Sequence, residues 1–161
     1  MRNVASVAIH SVFILRENIL FLEQWIDYHI TIGFTHFYLY DNSKVQQSGG
    51  RHVKHKEFKE GLVNKYGVDY HTLLKDIDET KLQQTLQHIL QKYTCVRIIE
   101  WAPKNNQGLV VFNQEEAHKD CLRLLKKNRI QWCANIDMDE YIVIHKGNTI
   151  QEYLRNQPSR V

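Results

Sequence analysis

The sequence predicts an α/β fold in which a mainly parallel sheet carries helices on both faces. Three observations support this: apolar runs of strand length, stretches of helical period between them, and acidic residues where strands stop. Residues Val4 to Leu15 are almost unbroken in β-branched and apolar types, as in a strand covered on both sides. In Glu17 to Ile32 the residues Leu22, Trp25, Ile26, His29 and Ile30 form one helical stripe, and Gly33 supplies the stop. Phe34 to Tyr40 then reads as a second strand, broken at Asp41-Asn42-Ser43, whose side chains favour turns. A polar stretch runs through Ser48-Gly49-Gly50 to about Lys75 without an organising period. Leu82, Leu86, Ile89, Leu90 and Tyr93 give a second amphipathic helix, followed by a strand at Cys95 to Trp101 and a third helix from Asn113 to Lys127. A last strand, Gln131 to Asp137, ends in acid, and TIQEYLRN resembles the start of another helix. Strands alternating with helices need crossover connections, which make neighbours parallel and bring ligands to the carboxyl ends of the strands. Asp41 and Asp137-Met138-Asp139-Glu140 are both expected at that edge.

At 161 residues, 43% hydrophobic and 24% charged, the chain suits one domain spanning 1–161. It has no run long and apolar enough for a membrane helix, and MRNVASVAIHSVFIL lacks a small-residue cleavage site before Arg16, so it reads as a buried strand. Cys95, Cys121 and Cys133 are too few and too scattered for a disulfide framework, and no Cys-x-x-Cys pair offers a zinc half-site. A reducing, cytoplasmic setting is the expectation. The net charge of +3 is small, and Glu57 and Glu60 interrupt the basic stretch Arg51 to Lys65, which reads as a solvated loop with no nucleic-acid partner.

On extended backbone, Asp137 and Asp139 would project to one side while Met138 turns to the core. Two hard carboxylate ligands suit Mn²⁺ or Mg²⁺, which would complete its shell with water and diphosphate oxygens. The bland alternative is an acidic turn capping a strand. An EF-hand loop is excluded, because its spacing wants Asp or Asn where the chain has Tyr141. Glu140 should point away from the aspartate pair on such a strand. Asp41 has two readings: an acceptor for a ribose or base edge, or an Asx turn with Asn42 and Ser43. Gln114 and His118 lie four apart at a helix start, able to face a cleft together. His29 reads as a hydrogen-bonded core histidine, and Tyr38, Tyr40, Trp101 and Trp132 as core aromatics.

Two longer blocks carry a family resemblance. FLEQWIDYHITIGFTHFYLYDNS resembles the opening of glycosyltransferase family 92 and related family 2-like proteins, and NQEEAHKDCLRLLKKNRIQWCANIDMDEYIV resembles their Gln-x-x-Ala-x-x-x-Cys-Leu helix and Asp-x-Asp-Glu strand. The resemblance implies a GT-A (Rossmann-like) fold, a nucleoside diphosphate sugar donor and a divalent cation at Asp137 and Asp139. It also implies nucleotide contacts from Glu17, Asn18, Asp41, Gln114 and Asp137. Where members have Lys-Asn-Glu after the first strand, this chain has Arg16-Glu17-Asn18, with the last two exchanged. Residues 44–92 match poorly and read as an insertion. Members continue well beyond the Asp-x-Asp strand, so the fold is expected to be truncated after it.

The function these blocks imply is metal-dependent transfer of a sugar, a UDP-sugar foremost, to an acceptor hydroxyl on a glycan or glycoconjugate, with inversion. No catalytic base is assigned; Glu140 and His145 are merely near in sequence. A binding module that holds a nucleotide sugar without turnover is the alternative. Phosphotransfer on an aspartate is a weaker third reading, because that chemistry places its Asp pair after the first strand of the domain.

Overall fold

The computed structural model describes residues 5–45, 77–155 and 157. The basic stretch Arg51 to Lys65, and most of the polar stretch that runs through Ser48-Gly49-Gly50 to about Lys75, fall outside these residues. In chain order the elements are β1 (Val7–Phe13), α1 (Leu15–Thr31), β2 (His36–Asp41), α2 (Glu79–Lys92), β3 (Val96–Glu100), α3 (Gln114–Lys127), β4 (Trp132–Asn135) and α4 (Ile150–Arg155). The four strands form one sheet in the order β3-β2-β1-β4, and every pairing is parallel. The expected α/β architecture is therefore present.

β1 is buried along its whole length because it lies between two strands and is covered above and below. Its alternating residues divide between two cores. Val7, Ile9 and Phe13 join Leu22, Trp25 and Ile26 of α1 and Leu82 and Ile89 of α2 on one face. Ala8 and Val12 meet Tyr38, Tyr40, and Ala117, Cys121 and Leu125 of α3 on the other. Right-handed crossovers explain the division: β1 to β2 to β3 steps one way across the sheet, while β3 to β4 steps back, so α3 lands on the opposite side. A fully buried Ile, Leu or Phe in these cores contributes about 1.5–3 kcal/mol relative to exposure.

The helix stripe differs from the expectation at one end. Ile30 is 36% exposed, and Leu15 and Ile19 complete the buried face instead. Gly33 ends α1 with φ +104, a left-handed backbone that an L side chain resists, while Phe34 N–H bonds to His29 O at 2.9 Å and Gly33 N–H to Ile30 O at 2.9 Å. Trp101 and Trp132 are only partly buried, whereas Tyr38 and Tyr40 are enclosed. No helix among the described residues is long and apolar enough to cross a membrane.

Candidate functional site

The strand order changes direction between β1 and β4, the position at which open parallel sheets bind ligands. The chain runs from β1 outward through β2 to β3 and then returns to the far side of β1, so the path across the sheet reverses between these two neighbouring parallel strands, and both end at the same edge. The start of α1 follows β1 there, and Asp137 to Glu140 follows β4. Asp41 ends β2 on the adjoining side. α3, crossing back from β3 to β4, begins with Gln114 at the same edge. All six residues expected at the site, Glu17, Asn18, Asp41, Gln114, Asp137 and Asp139, thus belong to one edge of the sheet.

The acidic segment is a turn, not the end of a strand. β4 stops at Asn135, two residues short of the expected Asp137. Glu140 N–H bonds to Asp137 O at 3.1 Å, and the Glu140 carboxylate accepts from Asp137 N–H at 2.9 Å. Glu140 therefore folds back onto the turn instead of pointing away along an extended strand, because closing the turn reverses the chain. Met138 is buried as expected, and Asp137 and Asp139 are exposed.

α1 holds this turn from behind. Trp25 Nε1–H donates to Glu140 O at 2.8 Å, and Tyr28 Oη–H donates to Ile142 O at 2.8 Å. His29 Nδ1 lies 2.8 Å from Trp25 O, so Nδ1 carries the proton and leaves Nε2 to accept from Ile142 N–H at 3.4 Å. That pattern needs a neutral ring, and burial holds the His29 pKa below its ordinary value against the opposing Trp25 hydrogen bond. Sequence reasoning found Trp25 and His29 as core residues and passed over Tyr28. Their spacing shows one helix face but not that its polar atoms reach the segment after the aspartates.

Asp41 serves the Asx-turn reading. Its Oδ1 accepts from Ser43 N–H at 3.0 Å and from the Ser43 hydroxyl, and also from Leu15 N–H at 3.1 Å. The residue before α1 is Ile14, which has no side chain able to cap a helix, so Asp41 and Ser43 supply that cap from the neighbouring strand. Asn42 is fully buried, and its amide donates to Trp101 O at 2.6 Å and Val111 O at 3.3 Å, fixing the loop that leads to Gln114. Asn18 turns its amide back to Ile14 O at 2.7 Å, and Arg16 reaches away from the edge to Ile77 O at 2.6 Å and Glu79 at 3.3 Å.

Beneath the edge on the α3 side lies a buried polar group. His10 Nδ1 is 2.8 Å from Asn135 Oδ1, the last residue of β4, and its ring meets that of His118 edge-on at 4.7 Å. Burial pushes the His10 pKa down, the Asn135 bond opposes this, and the charge of His118 adds to the lowering. Tyr40 donates to Asp120 at 2.8 Å, and burial pushes its phenol up. Gln114 and His118 do share a helix face, but His118 Nε2 is enclosed beside His10 instead of open to the cleft.

Among the described residues no three His, Cys, Asp or Glu side chains converge as a metal cage. No curated protein and no solved structure matches this chain. A family sequence model, described as Glycosyltransferase family 92, matches residues 62–159, which take in α2, β3, α3, β4 and the acidic turn; its first residue falls inside the 44–92 stretch. That span is more than half of the 161 residues, and with a parallel sheet that delivers acidic residues to its carboxyl edge, the chain belongs to glycosyltransferase family 92 and is a glycosyltransferase.

Proposed function

We propose that the chain moves a sugar from a nucleoside diphosphate donor, a UDP-sugar foremost, to a hydroxyl of a glycan or glycoconjugate acceptor, with inversion and with Mn²⁺ or Mg²⁺ held by Asp137 and Asp139. The observation that carries this reading is the position of the Asp137–Glu140 turn just beyond the carboxyl end of β4, beside β1, where the strand order reverses and an open parallel sheet takes its ligand. Two exposed carboxylates fit a hard cation that completes its shell with diphosphate oxygens and water. When bound, the cation supplies Lewis-acid neutralisation of the charge that develops on the leaving diphosphate.

The chain's own residues bind and orient. Glu140, committed to Asp137 N–H, shapes the turn, while Trp25 and Tyr28 fix the backbone behind it. Gln114, Glu17 and Asn18 line the edge on either side. Asp41 spends Oδ1 on the α1 cap, so a ribose or base contact falls to Oδ2.

Calorimetric titration of UDP into the protein with and without Mn²⁺ tests the reading. Manganese-dependent binding of micromolar order, lost in Asp137→Asn/Asp139→Asn, is expected. Equal binding by a folded double variant, or none by the folded parent, removes the donor site from this turn. Chelator-sensitive release of nucleoside diphosphate from a UDP-sugar would then separate turnover from mere binding.

A further inference from the structure

The donor edge makes no use of the two thiols that face each other between α3 and β4. Cys133 is paired with Ala8 of β1, and directly opposed residues project to the same face of a sheet. Ala8 is fully buried in the core under α3, and Cys121 of that helix is buried in the same core. Cys133 therefore rises from the sheet, and Cys121 descends from the helix, over a residue whose side chain is only a methyl. Each thiol perturbs the titration of the other, as two neighbouring sulfurs do. Among the described residues β4 lies at the edge of the sheet beside β1, and Cys133 is exposed while Cys121 is enclosed.

We propose that Cys121 and Cys133 form an oxidisable dithiol, which a small disulfide such as oxidised glutathione converts to an intramolecular disulfide clamping α3 to β4 just ahead of the acidic turn. The two sulfurs have different roles. The neighbouring Cys121 holds the Cys133 thiol below its ordinary range, and the same proximity together with burial pushes Cys121 up. Cys133 is thus both the accessible thiol and the better thiolate, which makes it the attacking sulfur. Its thiolate attacks one sulfur of the small disulfide; that S–S bond breaks, one glutathione thiolate leaves, and a mixed disulfide remains on Cys133. Cys121 then loses its proton to the released thiolate and attacks the Cys133 sulfur, expelling the second glutathione. Two protein thiols are oxidised and one disulfide is reduced to two thiols. Cys95 packs against the other core, where burial pushes its thiol up, and it provides an internal control.

The test is intact-mass and peptide analysis of the whole chain after incubation with oxidised glutathione and alkylation of the remaining thiols. The expected product is two hydrogens lighter, alkylated once at Cys95, yields a cross-linked Cys121–Cys133 peptide, and reverts with dithiothreitol. Cys121→Ser should stop at a stable glutathione adduct on Cys133, and Cys133→Ser should stay unmodified. A parent protein that accumulates the Cys133 adduct without the cross-link, joins two chains through Cys133, or remains fully alkylatable overturns the proposal. Because the parent's own mass decides the matter, a variant that fails to fold does not obscure it, and the result is independent of donor binding.

Discussion

Replacing His29 by Phe separates the packing of this ring from its two hydrogen bonds. Phe keeps an aromatic ring among Trp25, Tyr28, Phe34 and Tyr141, whose centroids lie 4.4, 5.1, 5.7 and 5.7 Å from that of His29. What is lost is the bond to Trp25 O at 2.8 Å and the acceptor for Ile142 N–H at 3.4 Å. A lost net hydrogen bond costs about 0.5–1.5 kcal/mol and an unpaired buried donor about 1–3 kcal/mol. The long Ile142 contact places the sum at about 1–3 kcal/mol, or a Tm lower by about 2–4 °C per kcal/mol for a domain of this size. The pH dependence carries a sharper signature. Burial lowers the folded pKa of His29, so above about 6.5 both states hold a neutral ring. As pH falls below that value, the unfolded chain takes up a proton that the native site refuses, and stability declines until the lower folded pKa is reached. The slope is at most about 1.4 kcal/mol per pH unit for each such group. His10 and His36 are lowered in the same direction, so the parent should lose stability on acidification through all three. Urea unfolding followed by tryptophan fluorescence at about pH 7.5 and about pH 5.5 should show His29→Phe less stable at the higher pH and less acid-sensitive than the parent. An unchanged slope together with a loss under about 0.5 kcal/mol would refute the neutral-acceptor role.

Two further substitutions test the supports of the same edge. Asp41→Ala removes the acceptor for Leu15 N–H and Ser43 and should cost about 1–2 kcal/mol in thermal unfolding, with Asp41→Asn recovering most of it; equal losses would show that charge, not the cap, matters. Gly33→Ala forces a Cβ into a φ of +104 and against Gln151 Oε1. It should destabilise by about 1–2 kcal/mol from backbone strain alone. Gly33→Ala/Gln151→Ala should relieve only the steric part, and full recovery in the double variant would show that strain contributes nothing.

The elements were legible because each is written in a local period. The unbroken apolar run at β1 reflects burial on both faces, and the stripe through Leu22, Trp25 and His29 reflects one helix face on a core. Boundaries shifted where tertiary partners act: α1 begins at Leu15, earlier than its stripe suggests, because Asp41 and Ser43 cap it from a strand twenty-six and twenty-eight positions away. The acidic segment was legible as a cluster but not as a turn. Residues i and i+2 share a face only while the backbone stays extended, and the fold of Glu140 onto Asp137 N–H ends that condition.

By itself, the sequence determined the alternation of strands and helices, the parallel sheet that crossovers require, and the set of acids destined for its carboxyl edge. Periodicity and composition are enough for these, since each depends on neighbours within a few turns. Only the tertiary structure decided that β1 and β4 are adjacent, that Trp25, Tyr28 and His29 hold the segment behind the aspartates, and that Cys121 faces Cys133 across Ala8. Those relations join residues far apart in the chain, and their hydrogen bonds and contacts exist only once the two cores have packed and set the register between strands.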